Sequence, residues 1–275
     1  MSTTRPNVLS IAGNDPSGGA GILADIKAMS ALGAYGMAVI AALTAQNTRG
    51  VTAIQPLSPE FVGQQINTIF NDIETHAVKI GMLGQANVTI EVADSLERWK
   101  PEYIVLDPVM IAKSGDQLLE KSAIAALRDR LLPLSTLITP NLPEAAVLLE
   151  EAPVTNLKDM RKAAERLRRL MPDGDNRWVF LKGGHLPGDQ TTDVLHNGDV
   201  LIELPGTRIH TKNTHGTGCT LSAALAALLP QTTNVPEAAH KAKEYLVTAI
   251  AQSDTLNVGA GHGPVHHFHN WWIAT

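Results

Sequence analysis

The sequence predicts an α/β protein built on a mostly parallel sheet covered on both faces. Three observations lead there. Short apolar runs alternate with helix-patterned stretches along the 275 residues. The first run, Asn7–Gly13, passes through a glycine-rich turn, NDPSGGAG, into helical spacing over Ile22–Leu32. Polar residues gather where the runs end, at Asp15, Gln46, Met82-Leu83-Gly84, Asp107, Asn141 and Lys182. Ligands of open parallel sheets bind beyond those carboxyl ends.

Each element follows from local pattern. Gly36–Gln46 reads as the second strand, and Pro59–Phe70 as an amphipathic helix with Ser58 as its N-cap. Ala77–Leu83 is a third strand, Val88–Trp99 a helix and Tyr103–Val109 a fourth strand. Gln117–Leu132 is helical, Thr136–Asn141 a short strand and Leu142–Glu150 a helix. Met160–Leu170 is a basic-faced helix and Arg177–Gly184 a strand. Thr192–Leu195 and Val200–Glu203 flank HNGD and read as a hairpin on an Asn-Gly turn. A helix from near Gly218 to Pro230 and two closing helices complete the chain, with Lys243 on the penultimate one. No repeat, linker or low-complexity tract divides residues 1–275, which read as one domain.

Hydrophobic residues at 44% and charged residues at 18% describe a globular chain with ample core. A formal net charge of -5 exerts no long-range pull on nucleic acid or an anionic membrane, so any phosphate needs a local site. One cysteine excludes an internal disulfide and a Cys-rich zinc site. Without a secretory pattern at MSTTRPNVLS, the expectation is a reducing, cytoplasmic location. The longest apolar runs, near Met37–Leu43 and Leu221–Leu229, are too short to span a bilayer.

The chemistry centres on Lys212–Ser222, KNTHGTGCTLS. Gly216 and Gly218 allow close backbone approach, and the helix that follows points free N–H groups and its positive end at the turn, an anion site. Cys219 stands at its mouth, where a thiol ionises below its usual value of about 8.5. The plainer reading is a glycine cap with an inert cysteine. Gly19-Ala20-Gly21-Ile22-Leu23-Ala24 fits a relaxed dinucleotide fingerprint, but the second strand ends in Gln46, not the acid that motif wants. A P-loop signature is absent from the sequence. Asp107 and Glu144 suit a magnesium ion on nucleotide phosphates; alternatively Glu144 is a first-turn acid complementing its helix. Lys182 is either solvated or the point charge on a phosphate. Gln46 offers a donor and an acceptor side by side, an edge that matches an aminopyrimidine. Asp25 either accepts from an amino or hydroxyl group or belongs to a charged helix face. The closing HGPVHHFHNWW reads as a packed anchor more readily than as a metal tract.

Across almost its whole length the chain resembles the hydroxymethylpyrimidine/phosphomethylpyrimidine kinases of thiamine biosynthesis, within the ribokinase-like group. The resemblance is carried, in order, by IAGNDPSGGAGILADIKAMSALGAYG, ALTAQNT, KIGML, VLDPVM, AKSGD, LITPNLPEA, LKGGH, NTHGTGCTLSAALAA and GPVHHFH. It implies a three-layer α/β/α fold, usually a homodimer, that transfers the γ-phosphoryl of ATP with Mg2+. The implied acceptor is the hydroxymethyl group of 4-amino-5-hydroxymethyl-2-methylpyrimidine, and then its monophosphate. By match of motif, Cys219 falls where sugar kinases carry a catalytic aspartate, beside Gly216, Gly218 and Lys182. The pyrimidine is expected near Gly13, Asp25, Gln46, Met82 and Val109. ATP and magnesium are expected at Asp107, Asn141, Glu144, Lys182, Thr214, His215 and Thr217, with Lys243 bordering the adenine. Asn14 departs from the Thr or Ser usual there. Competing readings are a pyridoxal kinase, a dehydrogenase and a non-catalytic sensor that kept the pocket.

Overall fold

A computed structural model describes residues 5–110, 121–174 and 176–272. The AKSGD block (Ala112–Asp116) and the first residues of the helix expected from Gln117 lie outside them. In chain order the elements open with β1 (Asn7–Asn14), α1 (Gly21–Ala31), β2 (Tyr35–Asn47), β3 (Gly50–Pro56) and α2 (Pro59–Phe70). They continue with β4 (Ala77–Ile80), α3 (Ala86–Trp99), β5 (Tyr103–Leu106), α4 (Lys121–Ala126), β6 (Leu137–Ile138) and α5 (Leu142–Leu149). The last are α6 (Leu157–Arg169), β7 (Trp178–Leu181), β8 (Asp193–His196), β9 (Leu201–Leu204), α7 (Thr217–Leu228) and α8 (Val235–Ala251).

All the strands join one sheet in the order β3-β2-β1-β4-β5-β6-β7-β8-β9. Neighbours from β2 to β7 run parallel, while β3 at one edge and β8 and β9 at the other are antiparallel. Alternation along each strand sorts the core into two layers. Leu9, Ile11, Val78, Ile80, Leu106 and Val179 pack on α2 to α6, whereas Val8, Ala77, Val105 and Phe180 pack on α1, α7 and α8. This is the expected α/β/α arrangement. In α7 every residue from Thr220 to Leu228 is buried. Its alanines and serine let it lie close between α1, α8 and the sheet.

Several elements differ from expectation. Strand β3 escapes pattern reading because most of its side chains are exposed or half-buried, and main-chain pairing with β2 holds it. The described part of the helix expected to Leu132 passes after Ala126 into a π turn over Leu127–Leu131 and a 3-10 turn. Helix α6 starts earlier than predicted, at Leu157, because Asn156 caps it by accepting from Asp159 N. The Asn-Gly hairpin forms as expected, with Asn197 Oδ1 accepting from Asp199 N and Val200 N.

Candidate active site

Two glycine loops, one after β1 and one before α7, meet above the carboxyl ends of the parallel strands. Asp15 organises the meeting. Its Oδ1 accepts from Ser17 N at 2.9 Å and Ser17 Oγ at 2.7 Å, and its Oδ2 accepts from Ala20 N at 2.9 Å. His215 Nε2 lies 2.8 Å from the same Oδ2, across 200 residues of sequence. Burial raises the Asp15 pKa, but the hydrogen bonds from His215 and Ser17 win and hold it below the usual carboxylate range. Gly216 adopts φ +77, and a Cβ there would stand 1.7 Å from Gly19 O. Only glycine fits both the conformation and the approach. The C-terminal segment completes the corner: His215 N donates to Gly263 O at 3.0 Å, and Thr220 Oγ1 lies 3.0 Å from His267 Nε2. His266 and His267 are buried there, so the histidine-rich end is a packed anchor.

Helix α7 begins at this corner with no side-chain cap and no acid in its first turn. Helices α5, α6 and α8, by contrast, are capped by Asn141, Asn156 and Asn234 and carry first-turn acids. The first N–H groups of α7 therefore have no side-chain acceptor, as is also true of α1 and α3. Opposite stands Lys182, at the end of β7. Its Nζ donates to Asp107 Oδ1 at 3.0 Å and lies 3.8 Å from Glu144 Oε2. A Cβ on Gly218 would be 3.3 Å from that ammonium and 3.5 Å from Asp107 Oδ2. The bare glycine therefore keeps open the gap between helix tip and cation.

Asp107 also accepts from Thr139 Oγ1 at 3.1 Å and from Ser222 Oγ at 3.3 Å. Burial opposes its charge, but Lys182 and Lys79 outweigh that and lower its pKa. Burial tends to lower the Lys182 pKa, yet Asp107 and Glu144 lift it to about 12. Glu144 is pushed up to about 7, by burial first and by the Asp107 charge second. It also forms a capping box with Asn141, accepting from Asn141 N at 2.7 Å while Asn141 Oδ1 accepts from Glu144 N at 2.8 Å. The reading of Glu144 as a first-turn acid of its helix is therefore what the structure shows. Among the described residues no group of three or more His, Cys, Asp or Glu gathers to hold a metal. Asp107 and Glu144 still fit magnesium of the kind that takes one or two carboxylates and finds its other ligands in waters and phosphates.

The residues expected to hold the acceptor lie at the carboxyl ends of β1, β2, β4 and β5. Gly13 N donates to Met82 O at 2.9 Å, and a Cβ on Gly13 would collide with Met82 Cε at 2.6 Å. Gln46 is half-buried, its Oε1 accepting from Thr44 Oγ1 at 3.1 Å and its Nε2 3.5 Å from His215 Nε2. Val109 follows Asp107 in a tight turn, its N donating to Asp107 O. Thr214 and Thr217 flank the turn and are half-buried.

Four expectations need correction. Asp25 has no exposed surface, and its Oδ2 is taken by Lys79 and Ser10, so it lies beneath the pocket wall. The His215 ring faces Asp15 and Gln46 and works as a strut between loops. Lys243 spends its ammonium on Asp193 Oδ2 at 2.7 Å, Leu204 O at 2.6 Å and Thr191 O at 3.3 Å, pinning the β8–β9 edge. Cys219 is half-buried, and its thiol is pushed up to about 11, by burial first and then by Asp25 and Asp107, against Lys79 and Gly21 N–H. Sequence reasoning passed over Ser10, Lys79, Thr139 and Ser222 entirely and noted Asp15 only as a polar strand end; a lysine inside the apolar run AVKIGML was the one visible signal.

A cavity of about 270 Å³ lined by Tyr103, Trp178, Leu229 and Val235 lies at the opposite, amino end of β5 and β7, away from this chemistry.

Comparison with known proteins agrees with the geometry. A family model described as "Phosphomethylpyrimidine kinase" matches residues 15–266. The hydroxymethylpyrimidine/phosphomethylpyrimidine kinase of Escherichia coli is 53% identical over 98% of this chain and 99% of its own. A crystal structure of phosphomethylpyrimidine kinase from Clostridium difficile is 40% identical, with a TM-score of 0.78 over 90% of this chain and 100% of its own. The pyridoxal kinase of Staphylococcus aureus, solved with AMP-PCP and pyridoxal, is 30% identical with a TM-score of 0.88 over 98% of this chain and 96% of its own. Fold likeness is thus shared by both kinase types, and sequence identity separates them. A glycine-wrapped helix tip facing a lysine–carboxylate cluster, matched over nearly the whole length at this identity, makes this chain a member of the phosphomethylpyrimidine kinase family.

Proposed function

We infer that the chain uses ATP to phosphorylate the hydroxymethyl group of 4-amino-5-hydroxymethyl-2-methylpyrimidine, and then the resulting monophosphate to the diphosphate. The observation that carries the reading is the uncapped tip of α7 set against Lys182, with Gly218 keeping the gap between them open. Phosphoryl transfer asks mainly for alignment and charge neutralisation. The N–H groups of Thr217, Gly218 and Cys219 receive the oxygens of the migrating phosphoryl, and Lys182 shares their charge. Gln46 presents its amide to the aminopyrimidine edge, while Gly13, Met82 and Val109 line the ring. Asp107 and Glu144 would hold magnesium, which neutralises phosphate charge when bound. Cys219 borders the acceptor hydroxyl; to accept its proton the thiol must first lose its own. The active form is proposed to be a cytoplasmic homodimer.

The E. coli relative at 53% identity supports the pyrimidine over pyridoxal as main substrate. The TM-score of 0.88 to a pyridoxal-bound kinase supports pyridoxal as a secondary acceptor. The test is kcat/KM for ATP-dependent phosphorylation of the pyrimidine alcohol, its monophosphate and pyridoxal. The expected order puts both pyrimidines at least about tenfold above pyridoxal, a gap of about 1.4 kcal/mol. No turnover of the monophosphate rejects the two-step reading, and a preference for pyridoxal replaces it.

A further inference from the structure

One hydrogen in the cleft is claimed twice. Thr44 and Gln46 stand two residues apart on β2, on one face of the strand, and both are half-buried. Thr44 Oγ1 lies 2.7 Å from Asn14 O and 3.1 Å from Gln46 Oε1. A carbonyl has no hydrogen to give, and the hydroxyl has one. The shorter contact, oxygen to oxygen at 2.7 Å, takes it. In the orientation described above, Gln46 Oε1 then meets a hydroxyl lone pair.

The other end of the amide has the matching fault. His215 Nε2 lies 2.8 Å from Asp15 Oδ2. Asp15 already accepts from Ser17 N, Ser17 Oγ and Ala20 N, and its carboxylate is an acceptor only. The hydrogen of that contact therefore sits on His215 Nε2, whether the ring is neutral or charged. Gln46 Nε2, 3.5 Å from the same nitrogen, faces a donor with a donor. Amide oxygen and nitrogen are nearly alike in size, and the surrounding partners decide which is which. Half a turn of the amide corrects both ends at once. Nε2 then donates to Thr44 Oγ1, and Oε1 faces the His215 N–H. Each end is engaged once, which leaves one amide hydrogen and one oxygen lone pair for a ligand.

Resting on the kinase reading above, we propose that Thr44 is a positioning residue for acceptor specificity: by giving its hydrogen to Asn14 O it holds the Gln46 amide nitrogen on its own side and the oxygen toward His215, so the pocket selects a ring that carries an acceptor nitrogen beside an exocyclic amine. The amide N–H is offered to the ring nitrogen, and the amide oxygen accepts from the amine. A ring with the reversed pattern, an N–H beside a carbonyl, meets donor with donor and acceptor with acceptor. An amide free to turn would serve either pattern equally, so the choice lies with Thr44 and not with Gln46 alone.

The experiment uses the full chain. Wild-type ATP turnover that requires the 4-amino pyrimidine alcohol is measured first; its absence removes the kinase reading before Thr44 is tested. The probe is then the 4-oxo analogue of that alcohol, which places a ring N–H beside a carbonyl in a ring of the same shape. Ratios of kcat/KM, or of competitive inhibition where the oxo ring is not turned over, give the preference for amino over oxo. Wild type is expected to favour the amino ring at least about a hundredfold. Thr44→Val removes the hydroxyl at similar volume and should cut that preference at least about tenfold, through the KM of the amino ring, with the ATP KM within about twofold. Thr44→Ser should restore it. A smaller change in Thr44→Val overturns the proposal, even where both rings are handled less well, because a merely structural threonine predicts that result. A wild type that handles the two rings alike overturns it too. If Thr44→Val does not fold, Thr44→Ala is read against the same outcomes.

Discussion

A thiol with a pKa of about 11 offers roughly one thiolate in ten thousand at pH 7. That deficit matches the largest gain general-base catalysis ordinarily gives, about 10⁴. On the proposed mechanism, Cys219 as base would then gain little, and the helix tip and Lys182 would carry the transfer. Cys219→Ala is accordingly expected to lower kcat by less than about tenfold, and Lys182→Met by at least about a hundredfold. The same thiol makes a pH prediction. Alkylation of Cys219 by iodoacetamide should accelerate about tenfold per pH unit from pH 7 to 9.5 with no plateau, because the thiolate fraction still grows there. A plateau near pH 7 would mean the dipole outweighs desolvation.

At the scale of elements, the two glycine loops act as one part. Gly216 cannot carry a side chain while Gly19 O lies where its Cβ would go. Gly216→Ala combines that collision with a positive φ and should cost about 2 kcal/mol or more in urea unfolding. It should also depress turnover, since the α7 tip moves with its loop. Asn156→Ala, which removes a cap on distant α6, should cost about 1 kcal/mol without touching kcat, and so separates lost stability from lost geometry. The strand ends were legible because Asp107, Asn141 and Lys182 each interrupt an apolar run. Strand β3 was not, since its partly exposed residues follow no buried period and pairing alone defines them. The Lys79–Asp25 pair was hidden for another reason: 54 residues separate its members, and no local spacing rule spans that distance. For Cys219 the helix start is visible in sequence, whereas the burial and the two neighbouring carboxylates that raise its pKa are not.

Across the whole molecule, the site is stitched from the two ends of the chain. The glycine loop after β1 and the turn before α7 meet through Asp15 and His215, and the segment from Gly259 onward fastens that turn through Gly263 and His267. Tyr245 of α8 reinforces it by donating to His267 O at 2.7 Å. A chain ending at Val258 keeps every strand and helix of the sheet layers. It should retain the far-UV circular dichroism of the fold while losing pyrimidine-dependent ATP turnover. Retained turnover would show that the α7 tip stands without its fastening.

Because the knot between Asp15 and His215 joins segments 200 residues apart in sequence, the α7 tip is set only once most of the sheet has already been laid down. A ribosome that has delivered the first two hundred residues holds a nascent polypeptide with most strands made and nothing able to consume nucleotide.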